Sequence, residues 1–184
     1  MRIIAGLAKG HALKSLKGNK IRPTADKVRE AVFSVIDYKL EGACFLDLFS
    51  GTGAIGIEAL SRGAAVCYFN DVRKKATEMV KENLLHCRLE GQGKVYAMDA
   101  RKFINFLKED TGLSFDIVYL DPPYEADLYE PVFKALADSA LLKEKALVIA
   151  ETNKQTLLPE NFGPLALFKK KVYGDTLIWY YQHR

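Results

Sequence analysis

Residues Cys44 to Gly63 read CFLDLFSGTGAIGIEALSRG, and this stretch decides the fold. Its apolar start is typical of a buried strand, the glycines of a tight turn, and the apolar residues after them of a helix. Gly51, Gly53 and Gly56 carry no side chains, so the backbone can turn sharply and approach a ligand closely. The free N–H groups at the start of the helix are donors for that ligand. We therefore expect a small molecule to bind on this turn.

The chemical nature of that molecule depends on the acids around the turn. The glycines also satisfy the dinucleotide-binding pattern G-x-G-x-x-G, with Asp71 twenty positions after the first glycine. Asp47 argues against a dinucleotide, because a carboxylate at the end of the strand would repel a pyrophosphate. It would attract the ammonium and sulfonium of S-adenosylmethionine, whose ribose hydroxyls Asp71 could bind. The alternative, in which Asp47 only ends a strand and binds backbone amides, stays open at this point.

The composition indicates a single sizeable core, because the chain has 184 residues of which 49% are hydrophobic. No apolar run is long enough to span a bilayer and the first residues do not resemble a secretory signal, so we expect a cytoplasmic protein. Cys44, Cys67 and Cys87 lie far apart without C-x-x-C spacing. We therefore expect neither a metal site nor a disulfide framework.

The positive charge is concentrated at the start of the chain. The net charge is +4, and residues 1–39 hold nine lysines and arginines against three acids, whereas the remainder holds eighteen against twenty. Such an arrangement presents a basic face to a polyanion, with Arg2, Lys9 and Lys14 as candidate contacts. Charge alone favours an ordinary solvated lysine-rich surface equally.

The first forty residues predict a small hairpin or two extended arms, followed by a helix. Residues 2–5 and 11–16 are short mixed segments separated by a glycine-containing turn. Thr24 is typical of a helix N-cap, and the apolar spacing after it predicts an amphipathic helix from about residue 25 to 38. Three charged residues on the polar side of this helix could face a ligand or a nucleic acid. They are Lys27, Arg29 and Glu30.

From Cys44 onward strand and helix patterns alternate, which predicts an α/β, Rossmann-like fold with helices on both faces of a mostly parallel, seven-stranded sheet. After the first strand we expect further strands over 65–70, 94–98, 115–120 and 146–150, helices over 72–86, 101–108 and 128–140, and two final antiparallel strands over 165–172 and 176–181. Ligands of such sheets bind beyond the carboxyl ends of the strands. Four aspartates fall at those ends, namely Asp47, Asp71, Asp99 and Asp121.

The tetrapeptide Asp121-Pro122-Pro123-Tyr124 is suited to hold a flat amine. The prolines fix φ and lack N–H donors, so the loop is stiff and its carbonyls remain free to accept. If Asp121 and the carbonyl of Pro122 accept both N–H bonds of an exocyclic amine, its lone pair can be directed at the sulfonium methyl group. Tyr124 offers a face on which the base can stack. The alternative is a proline turn whose aspartate caps the next segment.

These motifs together resemble a known family. MRIIAG at residues 1–6, RPTADKVREAVF at 22–33, DLFSGTGAIGIEA at 47–59 and the DPPY loop are similar to the bacterial 16S ribosomal RNA guanine-N2 methyltransferases of the RsmD type. These are class I, S-adenosylmethionine-dependent enzymes. DPPY alone is shared with DNA methyltransferases that act on adenine or cytosine, so residues 22–30 carry the family assignment.

The resemblance implies a role for each site residue. The cofactor set is Asp47, Ser50, Gly51 and Gly53 at the methionine end, Asp71 at the ribose, and Asp99 with the Ala100 amide at the adenine. The catalytic set that holds the guanine is Asp121, Pro122 and Tyr124. Arg22, Thr24 and Arg29 would help to close the site or contact RNA phosphates, as would Arg2, Lys9 and Lys14 of the basic segment. Because Asn70 directly precedes Asp71, either side chain could meet the ribose.

The resemblance also implies the organisation and the partner. We expect residues 1–40 to form a small RNA-contacting extension and residues 41–184 the methyltransferase domain, with 16S rRNA in the small subunit or its assembly intermediate as substrate. Two alternatives stay open. A DNA amino-methyltransferase would need a target-recognition domain that does not fit this length, and a non-catalytic assembly factor would not need the DPPY loop.

Overall fold

The computed structural model describes residues 1–15, 23–123 and 128–184, with side chains from residue 26 onward in the second range. The predictions for Arg22 and Tyr124, and for the side chain of Thr24, lie outside the described residues. The prediction that Thr24 is the helix N-cap is wrong, because the first helix already begins at Pro23, and proline is favoured in the first turn of a helix.

The order of helices and strands confirms the predicted alternation from Cys44 onward. The described helices are α1 (Pro23–Ile36), α2 (Ala54–Ser61), α3 (Lys74–Cys87), α4 (Ala100–Leu107) and α5 (Tyr129–Ala137). The described strands are β1 (Cys44–Asp47), β2 (Val66–Asn70), β3 (Gly93–Tyr96), β4 (Phe115–Leu120), β5 (Leu142–Asn153), β6 (Asn161–Phe162), β7 (Leu165–Tyr173) and β8 (Thr176–His183). The largest difference from the predicted bounds is in β5, which begins at Leu142 rather than Ala146 and ends at Asn153 rather than Ala150.

The strands form one sheet in the order β3-β2-β1-β4-β5-β8-β7-β6. The first five are parallel, and β8, β7 and β6 are added antiparallel. The described part of the chain thus has eight strands rather than the predicted seven, because β6 contributes only two residues and is too short for a sequence pattern. The order reverses between β1 and β4, and the crevice at such a reversal is where α/β sheets bind ligands.

Helices cover both faces of the sheet, as predicted. Side chains alternate between faces along each strand, so Phe45 and Leu46 of β1 enter different cores. The first core lies under α1, α2 and α3, and the second lies under α4 and α5. Because the parallel strands are apolar on both sides and covered by helices, the faces of the sheet are buried, and its carboxyl-end edge offers a crevice.

The N-terminal segment is a hairpin, as expected, and it docks on the first core. Arg2 and Ala12 form an antiparallel bridge. Ser61 at the end of α2 accepts a hydrogen bond from the Ala8 amide at 2.9 Å. Gly6 has a φ of 82°, and a Cβ there would lie 1.7 Å from the Ser61 carbonyl oxygen, so only glycine fits this close approach. The proposed domain boundary near residue 40 stays a prediction.

Among the described residues, none of the helices is both long and apolar enough to cross a membrane.

Candidate active site

Two adjoining cavities open at the carboxyl ends of the parallel strands. The larger cavity, of about 630 Å³, lies beside the ends of β2 and β3, and the smaller, of about 240 Å³, lies beside the ends of β1, β4 and β5. Four residues line both, namely Phe49, Gly51, Arg73 and Asp121. The combined space suits a small organic molecule next to a second group. The structure thus brings together all four strand-end aspartates of the prediction at one edge.

The glycine turn forms the floor between β1 and α2. Gly51 and Gly53 have φ values of 53° and 80°, and Gly53 caps α2. A Cβ at Gly51 would meet no protein atom within 4 Å, so the space above it is open for a ligand. Gly56 has a different task, because a Cβ there would lie 2.2 Å from the Phe69 ring. Its absence lets α2 lie directly on β2.

Asp47 is a buried carboxylate with little compensation. It is 3% exposed, lines the smaller cavity, and accepts one hydrogen bond from the described residues, from the Gly56 amide at 3.1 Å. Burial raises its pKa to about 7 despite that bond, and the charge of Asp71 contributes to the rise. The hydroxyl of Ser50, also in this cavity, is buried without a hydrogen-bond partner among the described residues. This wall of the smaller cavity therefore suits a ligand with a cationic, hydrogen-bonding group.

Asn70 and Asp71 at the end of β2 have different environments. The Asn70 amide donates to the carbonyls of Leu48 and Met98 at 3.3 and 3.1 Å, and its oxygen accepts from the Met98 amide at 3.1 Å. Asn70 therefore ties the strand ends together. Asp71 accepts from the Gly51 amide at 3.0 Å and from the Arg73 guanidinium at 2.9 Å.

The ionisation of Asp71 also differs from that of Asp47. Burial alone would raise the pKa of Asp71, but hydrogen bonds and charge from Arg73, with the Gly51 amide, outweigh this effect and lower the pKa. Arg73 itself is 61% exposed on its side chain. Asp71 is therefore an ionised hydrogen-bond acceptor at the larger cavity, and its partner Arg73 is exposed to solvent.

Asp99 and Ala100 lie where β3 leads into α4. The Asp99 side chain caps α4, accepting from the amides of Arg101 and Lys102 at 3.1 and 3.2 Å, and both bonds end on Oδ1. Asp99 and Ala100 line the larger cavity together with Met98. The predicted adenine-binding pair therefore faces the same cavity as Asp71.

Asp121 follows β4 at the junction of the two cavities. Solvent reaches it through the opening, but protein atoms crowd the carboxylate, and this desolvation raises its pKa well above the usual range. The nearby charges of Glu151 and Asp47 raise the pKa further. Pro122 and Pro123 line the larger cavity beside it.

Sequence reasoning missed the hydrogen-bonded pair of Tyr119 and Glu151 in the smaller cavity. The Tyr119 hydroxyl donates a hydrogen bond to Oε2 of Glu151, and the Tyr129 hydroxyl donates to the Glu151 carbonyl at 2.6 Å. The pattern of apolar residues ends at Ala150, so the acid directly after it was the available signal. Tyr119 lies in an apolar run and gives no signal of its own.

The basic residues of the prediction are divided between the surface and the interior. Arg2, Lys9 and Lys14 are exposed on the N-terminal hairpin, and Lys14 pairs with Glu82 at 3.0 Å. The prediction that Arg29 lies on the polar side of α1 is wrong, because its side chain is 3% exposed. A buried acid of α2, Glu58, draws it inward at 3.7 Å, and Arg29 still lines the smaller cavity.

Glu58 and Asn83 connect the N-terminal hairpin to the site. Glu58 accepts from the Ile4 and Ala5 amides at 2.8 and 3.0 Å. Asn83 of α3 exchanges two hydrogen bonds with the Lys14 backbone, at 2.8 and 3.1 Å, and donates to the Thr52 carbonyl of the glycine turn at 2.9 Å. The hairpin and the turn are therefore parts of one hydrogen-bonded assembly.

Comparison with known proteins identifies the family. Residues 1–182 match the family described as conserved hypothetical protein 95. The chain belongs to this family. A relative from Haemophilus influenzae is 37% identical, over all of this chain and 94% of its own length, and one from Escherichia coli is 31% identical, over 99% and 89%. Both are named ribosomal RNA small subunit methyltransferase D.

A solved structure supports the same family assignment. An Escherichia coli protein provisionally described as the methyltransferase yhhF has a TM-score of 0.87 and 28% identity to this chain, covering 100% of this chain and 98% of its own. The predicted class I methyltransferase fold and the resemblance to the RsmD type are therefore confirmed.

Proposed function

We propose that this protein transfers a methyl group from S-adenosylmethionine to the exocyclic N2 of a specific guanine in 16S rRNA. The observation that carries this proposal is the pair of joined cavities with Asp121 at their junction. One cavity has the acceptors that suit an adenosine, and the other has space for a base. The cofactor supplies an electrophilic methyl group, whose bond to sulfur breaks, leaving its electron pair on sulfur, as the bond to N2 forms.

The described residues fit this cofactor. The buried carboxylate of Asp47 and the unpartnered hydroxyl of Ser50 suit the charged methionine end, which passes over the open floor at Gly51 and Gly53. This arrangement favours the first of the two roles considered for Asp47, since a carboxylate that only ended a strand would not need a cavity in front of it.

The ribose and adenine have matching acceptors in the larger cavity. The Asn70 amide is already hydrogen-bonded to carbonyls at the strand ends, whereas Asp71 faces the cavity and pairs with the exposed Arg73. We therefore assign the ribose to Asp71. Asp99 and the Ala100 amide are assigned to the adenine, because both line the same cavity beyond the ribose position.

The substrate amine is held by acceptors rather than by a strong base. Asp121 accepts one N–H of the guanine amine and the Pro122 carbonyl the other, so the lone pair is directed at the methyl group. The ionised form of Asp121 is the stronger acceptor. Burial raises the pKa of Asp121, and a cationic cofactor beside it favours ionisation again. The proton that N2 loses passes to water, and Tyr124 is proposed to stack on the base.

The N-terminal hairpin is the proposed RNA contact of the 1–40 extension. Arg2, Lys9 and Lys14 present exposed cations on one small element, and RNA phosphates are their natural partners. The roles that the resemblance implies for Arg22 and Thr24, closing the site or contacting RNA phosphates, stay part of this proposal. Arg29 is buried, so we assign it to closing the smaller cavity, where its guanidinium also donates to the Arg2 carbonyl.

The test is methyl transfer from labelled S-adenosylmethionine to small ribosomal subunits that lack the modification. Wild-type protein should label N2 of one 16S guanosine, and Asp121→Ala, which removes the acceptor, should reduce the rate by about 100-fold or more while cofactor affinity is retained. The matched control is Asp138→Ala, which changes an exposed aspartate at the end of α5 and should leave the rate unchanged. Unchanged labelling by Asp121→Ala would contradict the assignment.

The same assay decides between the alternatives. Transfer to duplex DNA but not to the subunit would favour a DNA amino-methyltransferase, and no cofactor binding at millimolar concentration would favour a non-catalytic assembly factor. If the hairpin contacts RNA, neutralising Lys9 and Lys14 together should weaken subunit binding and flatten its salt dependence without changing cofactor affinity.

A further inference from the structure

We propose that Glu151, positioned by Tyr119, forms a subsite that accepts the N1–H of the target guanine and so selects guanine against bases without that proton. The inference rests on the proposed function, since it concerns the base that enters the smaller cavity. It assigns a substrate-binding role to a side chain that the motifs of the chain do not include.

The register of the sheet places Glu151 beside Asp121. β4 and β5 are parallel, with Tyr119 opposite Ile149 and Leu120 opposite Ala150. The next residues are Asp121, directly after β4, and Glu151, still within β5, so their backbones lie near the spacing of adjacent strands, about 4.8 Å. Both carboxylates line the smaller cavity. The pair therefore presents two neighbouring acceptors to whatever enters this cavity.

Tyr119 fixes the direction of the Glu151 carboxylate. Its side chain is buried in the first core, and its hydroxyl donates to Oε2 of Glu151. The Tyr129 hydroxyl holds the Glu151 backbone carbonyl at 2.6 Å from the other face of the strand. Within the described part of the chain, the bond from Tyr119 leaves Oε1 to act as an acceptor at the cavity. A carboxylate held on one oxygen is preorganised to bind through the other.

The buried carboxylates of the smaller cavity favour a ligand that carries hydrogen-bond donors. Burial raises the pKa of Glu151, and the bond from Tyr119 offsets only part of that rise. Asp47, Asp121 and Glu151 line one cavity, and the two arginines that also line it have other acidic partners, Glu58 and Asp26 for Arg29 and Asp71 for Arg73. With Asp47 assigned to the cofactor, a substrate edge with several N–H groups would replace lost hydration at Asp121 and Glu151.

Guanine has such an edge and the other bases do not. Its N2 amine and N1–H are adjacent donors, which match two adjacent carboxylates when Asp121 takes the amine and Glu151 takes N1–H. Adenine presents an unprotonated N1 next to its amine, and that lone pair would face the Glu151 oxygen. Reading a flipped base through its pairing edge is a common device of enzymes that modify bases.

The test compares guanosine with 2-aminopurine riboside at the methylated position of a semisynthetic subunit RNA. 2-Aminopurine keeps the N2 amine but lacks the N1 proton. Wild-type protein should prefer guanosine in kcat/KM by roughly 10- to 100-fold, the value of one hydrogen bond to a charged group. Glu151→Gln should lose most of this preference, because a glutamine amide can donate to N1 of 2-aminopurine. Glu144→Gln, an exposed glutamate on β5, is the matched control and should retain the preference.

Two further measurements separate this role from a structural or cofactor role. Calorimetric affinity for S-adenosylhomocysteine should change less than about twofold in Glu151→Gln, because the carboxylate is assigned to the base. Tyr119→Phe removes the positioning bond and should lower the preference partway, which keeps the proposal testable if Glu151→Gln does not fold.

Each outcome decides the proposal. Full preference in both Glu151→Gln and Tyr119→Phe would overturn the Glu151 subsite and leave the proposed methyl transfer intact. A large, equal loss with both bases accompanied by weaker cofactor binding would place Glu151 in the cofactor site and also overturn it. A wild-type protein that methylates no guanosine N2 would overturn both the proposed function and this inference.

Discussion

Glu58 and Asp47 are two buried carboxylates on the same strand–turn–helix segment, and their surroundings differ. Glu58 is 0% exposed and receives two backbone amides of the hairpin together with the guanidinium of Arg62, with Arg29 at 3.7 Å. Asp47 is 3% exposed and receives one amide from the described residues. The two carboxylates are thus similarly buried, but Glu58 receives more hydrogen bonds and positive charge from the protein than Asp47 does.

The difference separates a folding role from a binding role. Removing a carboxylate from water costs several kcal/mol unless charges and donors replace the hydration. At Glu58 the protein supplies these charges and donors, so the acid joins α1, α2 and the hairpin. At Asp47 it supplies few of them, and the pKa of Asp47 is raised to about 7. A cationic ligand at Asp47 would therefore stabilise the buried charge. Three substitutions can sharpen this contrast.

The largest effect on stability is expected for Glu58→Gln. The change removes the charge that compensates Arg29, whose side chain is 3% exposed. Breaking one side of a buried pair should lower the free energy of unfolding by about 3–5 kcal/mol. Urea denaturation monitored by circular dichroism measures it, with Glu160→Gln, at an exposed glutamate, as the control. A loss below about 1 kcal/mol would mean that Glu58 does not join these elements.

Asp47→Asn should raise the free energy of unfolding above pH 4, whereas Glu58→Gln lowers it. The folded-state pKa of Asp47 is about 7 against an ordinary 3.8, so the folded protein holds a proton that the unfolded chain releases between these values. Wild-type stability therefore falls as the pH rises from about 4 to about 7, by up to roughly 4 kcal/mol for a shift of about three pKa units. Asparagine never ionises, yet its oxygen can still accept from the Gly56 amide.

The variant should accordingly match wild type near pH 4 and exceed it at pH 8, while its affinity for S-adenosylmethionine falls. Denaturation midpoints at pH 4.5, 6 and 8 measure the first effect and calorimetry the second. A stability difference that does not change with pH would show that Asp47 is compensated after all.

Arg73→Ala should have the smallest effect. Its bond to Asp71 joins a buried acid to a side chain that is 61% exposed, and solvent screens such a pair. We expect unfolding free energy to change by less than about 1 kcal/mol. Affinity for the cofactor should rise slightly, because the ribose no longer competes with the guanidinium for Asp71. Lys75→Ala, at an exposed lysine in the first turn of α3, is the control, and a weakened affinity confined to Arg73→Ala would assign the arginine to the ligand instead.

The sequence allowed the frame and its acidic edge to be predicted. Apolar runs of strand length alternating with helical spacing indicate a parallel sheet, and polar residues directly after such runs must lie at one edge. Asp47, Asp71, Asp99 and Asp121 were found by that rule. The rule works because strand direction is common to all four, so sequence position alone determines the edge on which each side chain lies.

The remaining site residues depend on contacts between distant parts of the chain. The apolar run of β5 ends at Ala150, so Glu151 looked like the start of a loop, although the strand continues through it. Arg29 has the spacing of a surface residue, and only the buried position of Glu58 on another helix reverses that placement. A single charged residue within the apolar α2 was the available sign of such a partner.

One amide group in α3 carries a consequence for how the protein meets its substrate. Asn83 holds both the backbone at Lys14 and the loop at Thr52, so displacement of one of these segments is felt by the other. If RNA binds the hairpin and the methyl donor lies on the glycine turn, as proposed, substrate binding also restricts the motion of the donor site. Asn83 would then couple substrate binding to donor binding without contacting either molecule.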